Sequence, residues 1–246
     1  MKKKLLILIP AIVLSIAVIV LIVLFPYIRL LNFVNDLKNE QYTYTCFYYL
    51  ELKDTEKFFE GSVEGCKDAQ SVYGKIYLED KKITEIYANN EDCLINVSPL
   101  ISDRLDSIDL MNINLDLFIK DTYITLEQCS EILDVDIESK ISEILNCEYS
   151  VKTTAQAPDL KFLELDNKIK NRYTISTDSM LGDFFILLGT NEEKNTVCNV
   201  ILDQKEIYFE MSFSYDIGEV EEIYMPKKSL SAWEMYLLKQ ILNMMK

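Results

Sequence analysis

The sequence predicts an α+β chain: an N-terminal transmembrane helix, a curved antiparallel sheet with helices on its concave face, and a helix at the C-terminus. Three observations predict it. Leu5–Ile28 is an apolar run broken only by Pro10, Ser15 and Pro26. Two stretches alternate apolar and polar residues with period two, the mark of half-buried strands. Between and after them stand helix-start signals rather than Pro/Gly-rich linkers. Strands in two runs separated by helices mean α+β.

The apolar run comes first. As a helix its 24 residues span about 36 Å, against a hydrocarbon core of about 30 Å. It ends in Phe25-Pro-Tyr-Ile-Arg29, with neither small residues for cleavage nor a cysteine for lipid attachment. It therefore reads as an uncleaved signal anchor. Lys2, Lys3 and Lys4 precede it and Arg29 alone follows closely, which places the N-terminus in the cytoplasm and the remainder outside. The expected organisation is residues 1–40 as cytoplasmic tip, single-pass anchor of the cytoplasmic membrane and connector, and residues 41–246 as one extracytoplasmic domain.

Charge and composition narrow the function. The chain carries 25 Lys and Arg against 40 Asp and Glu. With the four cations at or before Arg29 set aside, 21 face 40, a balance of −19. No nucleic-acid partner is expected, because phosphate binding needs clustered cations. An anionic bilayer repels such a domain rather than holding it flat. The chain has no histidine, which removes Ser-His-Asp and Cys-His nucleophiles and His-containing zinc sites. No cysteine pair has the C-x-x-C spacing. The expectation is no enzyme, no metal and no cofactor.

The strand elements follow in order. In Tyr42–Lys53, Tyr42, Tyr44, Cys46, Tyr48, Leu50 and Leu52 share one face. Lys57–Cys66, Ser71–Glu79, Ile83–Asn89 and Asp92–Val97 continue a meander, with turns at Asp80–Lys82 and Asn89–Glu91. Ser98-Pro99 opens a helix predicted to run to about Ile108. Tyr123–Thr125 is a short strand. Thr125-Leu-Glu-Gln128 is a capping box for a helix through Leu133, and Asp136 caps another. The second run is Glu148–Ala155, Arg172–Thr177, Asp183–Leu188, Thr196–Leu202, Glu206–Phe213 and Val220–Met225. Ser231-Ala-Trp-Glu234 is a second capping box, opening the helix 231–246.

The six cysteines allow 15 pairings. If the first hairpin turns on Thr55 or Glu56, Cys46 and Cys66 become same-face neighbours and a disulfide is expected there. The other reading has all six reduced and buried. Asp134-Val-Asp136-Ile-Glu138 lacks the glycine and distal glutamate of a calcium loop and reads as a cap and solvated loop. Asp103, Asp106 and Asp109 read as the wet face of a helix. Asn96-Val-Ser98 has the form of a glycosylation sequon.

The Tyr-rich first strand, the hairpin meander, the Ser98-Pro-Leu100 helix start and the late Glu219-Val-Glu-Glu-Ile-Tyr-Met-Pro-Lys-Lys228 ending resemble the LolA-like superfamily of lipoprotein carriers and LppX/LprG-type lipid-binding lipoproteins. The likeness runs from about Gln41 to Lys228. It implies a half-open barrel whose helices cover an apolar cavity that takes acyl chains. The anchor and the helix after the last strand depart from that pattern.

Fourteen of the 15 tyrosines lie beyond the anchor, each with an apolar body and a polar tip. Tyr44, Tyr48, Phe209, Met211, Phe213 and Trp233 are the candidate ligand-lining residues. The last helix is apolar over Trp233, Tyr236, Leu237, Ile241 and Met244 and over much of its remainder. It is expected to cover the open side of the sheet or to meet a protein partner. Two readings stand: an anchored module holding a lipid or other apolar ligand, and a protein-interaction or sensory ectodomain with a filled core.

Overall fold

The computed structural model describes residues 25, 27–99, 122–134, 136, 137, 139, 142, 146, 148–154, 160, 161, 171–177, 184–191, 195–226 and 230–244. Two compact units divide at Glu40 and Gln41. Of the first, residues 27–39 form a helix, α1. No described helix is long and apolar enough to cross a membrane, and most of the run Leu5–Ile28 lies outside the described residues, as does the expected helix after Pro99 with Asp103, Asp106 and Asp109.

In the second unit, eleven described strands form one wholly antiparallel open sheet. They are β1 Tyr42–Leu52, β2 Lys57–Lys67, β3 Ser71–Leu78, β4 Lys81–Asn89, β5 Cys93–Asn96, β6 Tyr123–Thr125, β7 Tyr149–Thr153, β8 Asn171–Thr177, β9 Phe184–Thr190, β10 Thr196–Asp203 and β11 Ile207–Ile217. The order is β6-β5-β4-β3-β2-β1-β11-β10-β9-β8-β7. The first and last strands are neighbours in the middle. One meander spreads outward from β1 and the other arrives at β11. The helices are α2, Leu126–Leu133, and α3, Ala232–Met244.

Both capping boxes form. Thr125 Oγ1 accepts from Gln128 N at 3.2 Å while Gln128 Oε1 accepts from Thr125 N at 3.1 Å. Ser231 N donates to Glu234 Oε2 at 2.8 Å, and Ser231 Oγ accepts from Glu234 N at 3.4 Å. Asp134 ends α2 in the left-handed conformation, its N–H returning to Ser130 O. Asp136 Oδ1 accepts from Ser139 N at 2.9 Å, so this acidic stretch caps helices. The β3–β4 turn is Glu79-Asp80, one residue earlier than expected, with both residues at positive φ (48° and 64°) as a type I′ hairpin requires.

The pairing register sorts the side chains into two faces. Tyr42 lies opposite Ile217 and Leu52 opposite Ile207, and Tyr42 opposite Lys67 on the other side. One face therefore carries Tyr42, Tyr44, Cys46, Tyr48, Leu50 and Leu52 of β1 with Ile207, Phe209, Met211, Phe213, Tyr215 and Ile217 of β11. We call it the apolar face. On β2–β4 the opposite face carries a ladder of alternating charge, Glu64 opposite Lys75 and Lys75 opposite Glu85, set among Tyr73, Tyr77 and Tyr87. Tyr73 Oη donates to Glu85 at 3.1 Å and the Lys82 ammonium contacts the same oxygen. On β8–β10 both faces carry buried side chains, and on β11 the face opposite the apolar one does. Tyr173, Ile175, Leu188 and Cys198 fill one, Leu187, Val197, Ile201 and Tyr208 the other, and these strands read as near-continuous apolar runs.

Three sequence expectations are corrected. The Cys46–Cys66 disulfide is absent; Cys46, Cys66, Cys93, Cys129 and Cys198 are free thiols, and Cys147 lies outside the described residues. The hairpin centres between Asp54 and Thr55, which shifts the register by one residue from a Thr55-centred turn and by three from a Glu56-centred one, so Cys46 faces Val63 and Cys66 faces Thr43. A one-residue slip moves a side chain to the other face. Val220–Met225 is not a strand. Both flanks of β11 are occupied, and the sheet's edges are the distant β6 and β7, so the segment has no strand to join. Finally, α3 packs through Met235 and Leu238 against Val97, Ile124 and Leu230, while Trp233 and Tyr236 point outward, exposed by 66% and 53%.

Segment 219–226 is held from below. Asp68, buried in the β2–β3 turn, accepts from Gln70 N at 2.7 Å and Ser71 N at 2.6 Å through Oδ1, and from Ile223 N at 2.7 Å through Oδ2. Burial alone pushes this carboxyl upward. The N–H donors of Ile223, Gln70 and Ser71, with Lys67 nearby, outweigh burial and hold it below the ordinary aspartate value. A depressed carboxyl adds stability that is present above the unfolded value near 3.9 and lost as pH falls through the folded one. We predict that Asp68→Ala costs about 1–3 kcal/mol at pH 7, the penalty of stranding buried donors. Urea titrations should show the variant losing less stability than the parent on acidification below about pH 4. Equal acid sensitivity would show that Asp68 does not carry this role.

Candidate functional site

The centre of the apolar face is the candidate site. It is built where β1 and β11 run side by side for eleven residues, with Cys46 opposite Phe213, Tyr48 opposite Met211 and Leu50 opposite Phe209. The strand period alone brings five of the six candidate residues, Tyr44, Tyr48, Phe209, Met211 and Phe213, onto one surface. The sixth, Trp233, stands apart on α3.

The rings make a continuous patch. Tyr44 and Phe213 have centroids 5.5 Å apart, Tyr42 and Tyr215 5.4 Å, and Phe213 and Tyr215 5.8 Å. Such separations suit offset and edge-to-face aromatic pairs. Lys67 Nζ sits 5.7 Å from the Tyr42 ring at one end of the patch.

Two tyrosines reach across a whole strand. Tyr44 Oη donates to Tyr73 O at 3.1 Å and Tyr48 Oη to Tyr77 O at 2.9 Å, both carbonyls of β3. Between β1 and β3 lies β2, whose residues beneath these side chains are Gly61 and Gly65; Gly74 of β3 completes the floor. A Cβ on Gly61 would lie 2.5 Å from the Tyr48 hydroxyl and one on Gly65 2.8 Å from the Tyr44 hydroxyl. On Gly74 it would lie 2.7 Å from the Tyr44 hydroxyl. Three of the chain's six glycines thus clear the path of two side chains. Sequence reasoning missed this floor, although its signal is Gly61-x-x-x-Gly65 on the strand facing Tyr44 and Tyr48.

The surface carries no ionised group near neutral pH over its middle. Burial pushes the Cys46 thiol up to about 11. Burial, and then the neighbouring Cys46, push Cys198 up to about 12. Tyr44 is raised to about 12 by burial, with smaller contributions from Tyr42, Cys66 and Cys46. Thiols held protonated are poor nucleophiles. From β10 to β3 the face has no acidic residue, and its lysines, Lys57 and Lys67, stand at the two ends of β2. Tyr44, Tyr48, Phe209, Met211 and Phe213 are all partly open rather than buried.

The other face of the C-terminal wing is closed by residues 160 and 161. Leu160 packs with Leu187, Ile201 and Tyr208. Lys161 N donates to Glu210 Oε2 at 3.0 Å, and the same oxygen accepts from Tyr208 Oη at 2.7 Å. Glu210 is fully buried, and these bonds satisfy it. The Lys161 ammonium pairs with Glu51 at 2.9 Å and lies 4.5 Å from the Tyr208 ring centroid. Sequence patterning did not single out Glu210.

Among the described residues no group of three or more Cys, Asp or Glu side chains could hold a metal ion. Asn96, the sequon residue, is buried and its Oδ1 accepts from Ser98 N at 3.0 Å, so its amide is not presented to solvent.

No family model and no curated protein matches the chain. Among solved structures, it is similar to a LolA superfamily protein from Nitrosomonas europaea. That match covers 74% of this chain and 88% of that one, at 7% sequence identity and a TM-score of 0.29.

The glycine floor has a discriminating test. A Cβ on Gly74 meets the Tyr44 hydroxyl first, whereas on Gly61 it meets the backbone oxygen of Tyr77 at 2.1 Å. Gly74→Ala should therefore destabilise by about 1–3 kcal/mol, the usual overpacking cost. In a Tyr44→Phe background most of that cost should vanish. Gly61→Ala should remain costly in a Tyr48→Phe background. A double-mutant cycle by denaturant titration reads both couplings; a Gly74–Tyr44 coupling near zero would refute the contact.

Proposed function

We propose that this chain is a membrane-tethered binding module whose apolar sheet face takes a lipid acyl chain or a similar apolar ligand. The observation that carries the reading is the partly open, uncharged surface of Tyr44, Tyr48, Phe209, Met211 and Phe213 at the middle of the sheet. Large apolar surfaces left open on a folded protein mark binding sites. Methionine beside flat aromatic rings adapts to chains of irregular shape. Three glycines keep the neighbouring floor low, so a ligand can lie along the strands.

The half-barrel shape belongs to the same reading. Open twisted sheets of more than about ten strands curl, and a curl toward the apolar face would wrap a bound chain. α2 and α3 pack over the β5–β6 end of that face through Ile95 and Ile124, which leaves β11, β1 and β2 as the place for a ligand. The proposed role is holding, not chemistry: the site offers protonated thiols, phenols and hydrocarbon, and no carboxylate pair. Leu5–Ile28, with Lys2–Lys4 on its inner side, would tether the module with residues 41–246 outside the cytoplasmic membrane.

Two measurements test this. Native mass spectrometry of full-length protein purified from cells should find co-purifying lipid, and a fluorescent fatty acid should bind saturably. Met211→Glu, which plants a charge at the centre, should weaken that binding at least tenfold while keeping the parent's circular dichroism. A parent without bound lipid and without saturable dye binding would overturn the reading. For the tether, protease added to intact, wall-stripped cells should digest the region after Asn39. Protection of that region, or its release into the medium with a new N-terminus near Phe25, would overturn the topology.

A further inference from the structure

The helices α2 and α3 enclose a cleft of about 420 Å³ lined by Glu127, Gln128, Glu131, Met235, Tyr236 and Lys239. Its volume falls in the usual range for ligand sites, about 300–1,000 Å³. The floor is apolar: Met235 is buried and belongs to the core beneath. The rim on one side is acidic, since Glu127 and Glu131 are four residues apart and share a face of α2. On the other side the lining includes Tyr236, on which Trp233 stacks from outside the cleft. Trp233 and Tyr236 stack at 5.7 Å with an interplanar angle of 21°, and both are mostly exposed. Because α3 meets its domain through Met235 and Leu238, this aromatic pair is surplus to the core. Exposed tryptophan and tyrosine beside an apolar pocket are the anchors typical of protein interfaces.

We propose that this cleft docks a basic, amphipathic segment of a partner protein, with a lysine or arginine between the α2 carboxylates and Tyr236 and an apolar neighbour on Met235. Three features select a cation. Two carboxylates line the cleft, an aromatic face stands beside them for cation–π contact, and the chain beyond Arg29 carries a net charge of −19 that draws basic partners in. The ion pair already present argues the same way. Lys239 Nζ reaches Glu131 Oε2 at 3.3 Å with both side chains well exposed, an arrangement worth little in water and easily exchanged for an incoming cation. A bilayer is a poor alternative, because anionic headgroups repel this domain. The proposal is independent of what the sheet face holds.

Trp233 is the chain's single tryptophan, and its emission reports on the cleft through its stack on the lining residue Tyr236. Full-length protein is titrated with an end-blocked peptide built from Leu-Arg-Arg-Leu repeats, with the same peptide carrying Glu for Arg, and with spermidine. The Arg peptide should change Trp233 emission saturably, more weakly as salt rises. The double variant Glu127→Gln, Glu131→Gln should bind at least tenfold more weakly, and Lys239→Gln, which removes the competing ammonium, several-fold more tightly. Unfolding midpoints of all three proteins should agree, since these side chains lie on the surface. No saturable response to the Arg peptide, equal binding of the Glu peptide, or unchanged affinity in the double variant would each overturn the proposal. Spermidine binding as tightly as the Arg peptide would overturn the protein partner in favour of a small-cation site.

Discussion

The pairing of β1 with β11 is the constraint on which the rest of the domain depends. It joins Tyr42–Leu52 to Ile207–Ile217 over eleven consecutive residue pairs, and the two strands lie more than 150 residues apart in sequence. Every other strand is added to one side or the other of this pair by a short hairpin or by one of the longer connections, β5–β6, β6–β7 and β7–β8. Closing so long a loop costs only logarithmically more than closing a short one, but it must occur before the two meanders can share a sheet. Folding is therefore expected to wait on this contact. The pair is well equipped: aromatic rings face one another across it on the apolar side, and Tyr49 meets Tyr208 at 6.2 Å on the other. Lys53 N donates to Glu206 O, and the Lys53 ammonium pairs with Asp203 at 2.6 Å. These contacts carry the pairing one residue past Leu52.

From that pair the register decides which residues meet water. A one-residue offset between β1 and β11 would put the aromatic residues of one meander on the opposite face from those of the other. The two wings use this register differently. The N-terminal wing sets the Glu64–Lys75–Glu85 ladder among Tyr73, Tyr77 and Tyr87 on the face opposite the apolar one. In the C-terminal wing β8–β10 are buried on both sides, and a buried carboxylate, Glu210, is tied to the backbone of Lys161 and the hydroxyl of Tyr208. Strands buried on both sides form a rigid wall; the N-terminal wing leaves an apolar face that something else must cover. The candidate site lies at the junction of the two.

Much of this was legible in residue order, and the reasons are physical. Strand identities followed from period two, and the starts of α2 and α3 from Thr125/Gln128 and Ser231/Glu234, because a capping box is a local device whose partners lie three residues apart. What failed was whatever depended on register or on neighbours. Cys46 and Cys66 were expected on one face because the hairpin centre was set at Thr55 or Glu56 and it lies between Asp54 and Thr55. Val220–Met225 alternates like a strand, but no free edge lay near it, and Asp68 claims its backbone instead. The outward turn of Trp233 was hidden because α3 is apolar nearly all round; only Val97, Ile124 and Leu230 decide which side is core. The glycine floor involved three strands at once and could be found only after the pairing was known.

The glycine–tyrosine arrangement also explains why positions 44 and 48 are tyrosines. A phenylalanine at position 44 or 48 would bury the same ring but would leave the β3 carbonyls of Tyr73 and Tyr77 without these donors. With a hydroxyl, each ring is drawn over β2 and held there by one bond, worth about 0.5–1.5 kcal/mol apiece. That orientation is permitted only because Gly61 and Gly65 raise no side chain beneath it, at the conformational cost that glycine carries in a strand. The result is a shallow surface where upright aromatic rings would otherwise fill the space above the sheet. Two hydroxyl–carbonyl bonds therefore set the depth of the apolar site. The tyrosines that would line a bound chain also tie β1 to β3 across β2, so the surface and the sheet beneath it share the same bonds.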